Sequence, residues 1–259
     1  MQGWKIFTHS LRMVFGNLGA AFRVSLVLYL AQIAVGYVFI SQFGDAMQQM
    51  QKGPGMIPPG FWGVWLLLMI VTVVTSLWIA VAWHRYILLE ETPGAVLPPF
   101  HASQILRYFQ VSFLLGLILG LVGFVLGFVS AFLIAILLGG STSPAAGIVS
   151  MLVFLVVVLG PLVYLFYRLS PVLPAAAVGE PMTFSEAMKV TAPASGVIFQ
   201  LAIIGILAGI LLQLPSMMNP NKASLINIVY SDVLGWIYMM VGISILTTIY
   251  GHYVQGREL

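Results

Sequence analysis

The side chains in this chain best equipped for chemistry are arginines. Arg168 opens the stretch Arg168-Leu-Ser-Pro-Val-Leu-Pro, and a guanidinium holds a phosphate through paired N–H donors in a way lysine does not. Arg85 and Arg107 fall on the same side of the segment pattern developed below, so Arg168, Arg85 and Arg107 are the candidate ligands of a lipid phosphate. The plainer role for Arg168 is an anchor whose stem lies in apolar surroundings while its head reaches water. His9, His84, His101 and His252 could offer imidazoles to a haem or a metal. All four are placed at segment ends or in short polar pre-segments, with no CxxCH and no carboxylate at ligand spacing, so polar anchoring is expected of them. Glu90, Glu91 and Glu180 are the carboxylates open to acid–base work, but they sit in loops, where acids are ordinarily solvated. The chain lacks HExxH and Gly-x-Ser-x-Gly, which removes the zinc-protease and serine-elbow readings. It has no cysteine, hence no thiolate ligand, thiol nucleophile or disulfide. No acid, base and nucleophile recur at one depth, so neither an enzyme nor a cofactor is expected.

These residues punctuate an unusually apolar sequence. Of 259 residues, 61% are hydrophobic and 7% charged, where a soluble domain is about half apolar and about a quarter charged. A water-soluble fold is excluded. Charge-free blocks at about 24–41, 61–83, 111–138, 148–167, 197–213 and 233–250 each suffice to cross ~30 Å of hydrocarbon as helix. The sequence therefore predicts an all-α polytopic bundle, a single integral membrane domain over 1–259. Nothing in it alternates like a β-barrel. The first block runs on into Gln42, Phe43 and Gly44 without a cleavage site and is read as a retained helix.

Basic residues set the orientation. Lys5, Arg12, Arg23, Arg85, Arg107, Arg168, Lys189 and Arg257 fall on one side, Lys52 and Lys222 on the other. Both termini are expected in the cytoplasm, with outer loops at about 42–60, 139–147 and 214–232. Trp62, Trp65 and Trp236 then stand at outer span ends and Trp83 with Tyr86 at an inner one, as headgroup-level anchors do. The net charge of +3 forms no basic patch, so no nucleic-acid partner is expected.

A short amphipathic segment precedes each inward-to-outward span. The three begin at Phe7, Phe100 and Phe184 and reach a base at Arg12, Arg107 and Lys189. They are either copies of one repeated hairpin unit or what any cytoplasmic pre-helix looks like, and both readings stay open. The first carries Trp4, Phe7, Leu11, Val14, Phe15 and Leu18 on one helical face and would rest in the inner headgroup layer. In the third, Thr183 and Glu186 have capping-box spacing, and Pro193 separates this helix from the fifth span.

Inside the spans the polar residues are Gln32, Thr72, Thr75, Ser76, Ser130, Gln200, Ser244, Thr247 and Thr248, expected to bond neighbouring helices or their own backbone. No ionisable group lies there, which argues against a proton relay or voltage sensor. Gly116, Gly120, Gly123 and Gly127 form a small-residue face for close helix packing, read as packing within the bundle rather than between copies. Gly160 and Pro161 predict a kink in the fourth span. Pro171 and Pro174 predict an irregular, protected stretch at the inner face, a candidate gate together with Gly160 and Pro161.

Arg168-Leu-Ser-Pro-Val-Leu-Pro-Ala-Ala-Ala-Val, followed by Phe184-Ser-Glu-Ala-Met-Lys189 and an apolar span, resembles a broad group of bacterial six-helix inner-membrane proteins. That group is similar to the membrane domain joined to some glycerophosphodiester phosphodiesterases. The likeness covers about residues 160–213 and implies the fold, the bacterial inner membrane and a lipid context. The chain ends at Leu259 without an appended hydrolytic domain, so the phosphodiesterase activity is not expected to carry over. The leading expectation is a non-enzymatic, lipid-associated accessory or scaffold factor. Its partners would be anionic membrane lipids and a membrane protein or second copy. A carrier or channel for a small amphiphile comes next, and a lipid-headgroup enzyme after it.

Overall fold

The computed structural model describes residues 2–52, 57–219 and 224–259. Lys222 and the Lys52 side chain, the two bases assigned to the opposite side, lie outside what is described. In chain order the helices are α1 (Gln2–Phe15), α2 (Leu18–Lys52), α3 (Phe61–Leu89), α4 (Ala102–Leu138) and α5 (Pro144–Phe154). A π turn (Leu155–Leu159) leads into α6 (Gly160–Leu169), followed by α7 (Val172–Val178) and α8 (Phe184–Thr191). A 3-10 turn (Ala192–Ala194) precedes α9 (Ser195–Met218), and α10 (Leu225–Tyr253) is last. Six helical segments are long and apolar enough to cross a membrane. The protein is an all-α, multi-pass membrane bundle, with no strand among the described residues.

Consecutive spans pair as antiparallel hairpins. Gln32 of α2 donates to Thr75 of α3 at 2.7 Å, and Phe39 and Phe43 pack on Phe61 further along. Tyr238 of α10 donates to the Gly209 carbonyl of α9 at 2.7 Å. The middle hairpin closes where Gly123 of α4 meets Leu162 of α6. The core gathers on α10: 67% of its most apolar stretch is buried, against 6% for α4. Met240, Ile245 and Ile249 of α10 join Ile6, Ile79, Trp83, Ile198 and Leu201 in one cluster. Where hydrocarbon surrounds the helices, tight contact and satisfied polar groups hold such a cluster, because lipid is as apolar as leucine.

Several local expectations meet a different outcome. In α1 the buried face is Gly3, Ile6, Ser10 and Val14, while Trp4 is 52% exposed. The apolar stripe loses to close packing. A Cβ at Gly3 would sit 2.9 Å from the Val197 carbonyl, and the Gly3 N–H donates to Gln200 Oε1 at 3.0 Å. The second pre-segment is no separate helix, since residues from Ala102 onward run unbroken into α4. Residues 172–178, expected to be irregular, form the buried helix α7 against α3, α4 and α10. Pro171 caps that helix and Pro174 lies in its first turn, where amides have no helical acceptor to lose. Gly179, at φ +87°, ends it, and the Glu180 N–H closes back on the Ala175 carbonyl at 2.9 Å.

Other features match. The Thr183–Glu186 capping box forms in both directions, with Glu186 N–H donating to Thr183 Oγ1 at 3.2 Å and Thr183 N–H to Glu186 Oε2 at 2.7 Å. The break at Pro193 is the single 3-10 turn between α8 and α9. At Gly160–Pro161 the helix widens into the π turn, so that the Gly160 N–H reaches the Leu155 carbonyl five residues back.

Candidate functional site

Of the three candidate phosphate ligands, Arg168 is spent inside the protein. It lies at the end of α6, 7% exposed. Its Nε donates to Thr191 Oγ1, one terminal nitrogen to Tyr164 Oη and the other to the Met188 carbonyl, each at 2.8 Å. Thr191 in turn donates to the Ala187 carbonyl at 2.7 Å. The guanidinium thus clamps α8 to α6, and the buried charge is matched by hydrogen bonds as it must be.

Arg85 is also engaged. Glu90 ends α3 in the left-handed conformation (φ 56°), which turns the chain so that Glu91 faces Arg85. The Glu91 carboxylate bonds Arg85 at 2.7 Å and His101 Nε2 on its other oxygen. Arg85 further donates to the Ala177 carbonyl at 3.3 Å, at the C-terminal end of α7 where positive charge is favoured. Partial burial pushes the Glu91 carboxyl up, but the hydrogen bonds and charges of His101 and Arg85 outweigh it and hold the carboxyl below its ordinary value. Arg107, half-buried near the start of α4, makes no ion pair among the described residues. Arg168 and Arg85 are therefore each committed to partners within the fold. Arg12 and Arg23 are left exposed.

His84 is the residue whose surroundings depart furthest from expectation. The sequence puts it at a segment end, yet α3 continues to Leu89 and buries His84 completely. Its Nδ1 lies 2.8 Å from Thr247 Oγ1 and its Nε2 3.3 Å from Tyr108 Oη. Thr247 Oγ1 gives its own hydrogen to the Ile243 carbonyl at 2.9 Å, so it accepts from His84. That assigns the imidazole hydrogen to Nδ1 and leaves Nε2 to accept from the tyrosine. A base that donates to the hydroxyl beside it does not activate that hydroxyl.

The neighbouring hydroxyls follow one pattern. Ser244 accepts from Trp83 Nε1 at 2.8 Å, and Thr248 lies 3.0 Å from Ser10. Ser25 accepts from Trp236 Nε1 at 2.8 Å while that indole stacks on Phe22. Trp83 and Trp236 are accordingly bundle-packing residues rather than headgroup anchors, whereas Trp62 and Trp65 stay exposed as anchors do. The signal that could have found this seam is the spacing of Ser244, Thr247 and Thr248, which gives one face of α10 three hydroxyls in little more than one turn.

The glycine face is mostly open. A Cβ on Gly123 would approach Leu162 to 3.2 Å, whereas Gly116, Gly120 and Gly127 meet nothing within 4 Å. Packing within the chain thus uses one of the four. The gate candidates Gly160, Pro161, Pro171 and Pro174 are split between the π turn's exit and the start of the buried α7.

Two spaces among the described residues lie between the spans. One is a mostly apolar groove of about 380 Å³ between α2 and α10, walled by Phe22, Leu26, Leu30, Val233, Trp236 and Ile237, with Asp232 also in its lining. The other is a cavity of about 370 Å³ among α3, α4, α6 and α10. Both are within the size range of small-molecule sites. What the geometry defines is a membrane bundle with largely apolar recesses between its helices, one of which counts Asp232 in its lining. Comparison with protein-family models, curated proteins and solved structures finds no match for this chain.

Proposed function

We propose that this is a non-catalytic integral membrane protein that holds an anionic membrane lipid and serves as an accessory or scaffold factor, with both termini cytoplasmic in a bacterial inner membrane. The observation that carries the reading is the groove between α2 and α10. Leu18, Phe22, Leu26, Tyr29, Leu30 and Ile33 supply one continuous wall of α2, at helical spacing. Such a wall suits an acyl chain. Arg23 is exposed one turn before Leu26, on the edge of the same stripe. It can meet a phosphate once the chain is seated, whereas Arg168 cannot without abandoning α8. The resemblance of residues 160–213 to a membrane domain associated with glycerophosphodiester chemistry fits a lipid context. The seam around His84 supports a non-catalytic role, because its hydrogens all run to acceptors within the fold.

The test is native mass spectrometry of the full chain released in mild detergent. A discrete anionic lipid at fixed stoichiometry is expected. Leu30→Trp should empty the groove, and Arg23→Gln should cut retention of the anionic lipid about tenfold, as loss of one charge-assisted hydrogen bond would. Equal lipid retention by the parent and both variants would overturn the reading.

A further inference from the structure

The cavity among α3, α4, α6 and α10 presents three phenols, Tyr108, Tyr167 and Tyr238. Two of them are committed: Tyr238 Oη donates to the Gly209 carbonyl, and Tyr108 Oη to His84 Nε2. Tyr167 differs. Its residue is only 9% exposed, and its hydroxyl, which lies 3.1 Å from where a Cβ on Gly205 of α9 would sit, finds no hydrogen-bond partner among the described residues, yet it is not sealed off from open space. A phenol hydroxyl at span depth without an acceptor is unfavourable, and buried polar groups that the fold leaves incomplete call for a partner from outside it.

The lining around Tyr167 says what that partner is. It contains no Asp, Glu, Lys, Arg or His. An ion drawn into it would lose its hydration without gaining a counter-charge. A neutral carbonyl oxygen accepts from the phenol without that penalty, and its hydrocarbon neighbours match Leu77, Phe166 and Ile243. Room exists as well, since a Cβ on Gly242 would meet nothing within 4 Å.

We propose that this cavity binds the uncharged, oxygen-bearing part of a membrane amphiphile, with Tyr167 Oη donating to its carbonyl. An ester carbonyl of a neutral glyceride and the carbonyl of an isoprenoid quinone share this chemistry. The site has no lining residue in common with the groove between α2 and α10 and stands whether or not that groove holds a lipid.

The experiment titrates the detergent-solubilised full chain with dioleoylglycerol, decylubiquinone, dioleoylphosphatidylglycerol and hexadecane, reading bound mass and thermal unfolding. Dioleoylglycerol or decylubiquinone should bind one to one and raise Tm, and the one that does so separates ester from quinone. Hexadecane, with no oxygen, should do neither. Tyr167→Phe keeps the ring and the fold and should weaken the responding probe about tenfold, the equivalent of one hydrogen bond. Gly242→Leu should abolish binding by occupying the space. The proposal is overturned if Tyr167→Phe binds the probe as well as the parent does, if neither uncharged oxygen-bearing probe binds, if hexadecane matches them, or if the anionic lipid competes for this cavity more tightly than dioleoylglycerol. Should Gly242→Leu fail to fold, the Tyr167→Phe comparison decides alone.

Discussion

At Arg168 three nitrogens reach three different acceptors, and the consequences of mutation follow from that geometry. Arg168→Ala should destabilise the protein by about 2–3 kcal/mol, the scale of hydrogen bonds to a charged group, because Thr191 and the Met188 carbonyl lose a buried partner. Arg168→Lys should recover only part of this, since one ammonium cannot imitate the planar fork. Thermal unfolding in detergent measures both, and a neutral Arg168→Ala would show that the clamp contributes nothing. The same residue illustrates a limit of sequence reading. A lone arginine beside prolines at the end of an apolar block reads as a phosphate ligand or as a snorkelling anchor. Neither reading includes a carbonyl contributed by a helix twenty residues later.

Among the elements, α4 gives the sharpest contrast between pattern and packing. Its four glycines look equivalent in sequence, but only the Cβ of a substituted Gly123 would press on α6. Gly123→Leu should therefore force α4 and α6 apart at a cost of about 1–3 kcal/mol, typical of overpacking. Gly120→Leu should leave monomer stability unchanged. Thermal unfolding of the two variants side by side checks this, and equal losses would mean that Gly120 also packs. Proline marks boundaries between elements, but the kind of boundary differs. Pro161 and Pro193 mark breaks that the structure absorbs as a π turn and a 3-10 turn. Pro171 and Pro174 instead begin a helix, because first-turn amides need no helical acceptor.

For the whole molecule, the bias of basic residues predicts which loops face which compartment. The absence of native cysteine makes that directly measurable. Ser141→Cys, in the exposed turn after α4, should react with an impermeant maleimide on intact cells. Ser103→Cys, exposed near the start of α4, should react only after lysis. The opposite pattern would invert the proposed topology.

Hydropathy, charge and helix length determined the class, the six helical spans and their hairpin order, because hydrocarbon demands that each spanning segment satisfy its own backbone. Local spacing likewise determined the capping box at Thr183 and Glu186. Tertiary structure alone decided which polar groups meet. His84 ends a span in the sequence pattern, whereas α3 runs on to Leu89 and closes it against Thr247 and Tyr108. Tyr167 stands as the last residue of a block in sequence, and only the arrangement of α6 beside α4 and α9 sets its hydroxyl at the cavity without an acceptor from the described residues. The physical reason is common to both. Hydrophobicity is a property of a residue and its near neighbours along the chain, whereas hydrogen-bond satisfaction belongs to pairs of atoms that only the assembled bundle brings within 3 Å or so.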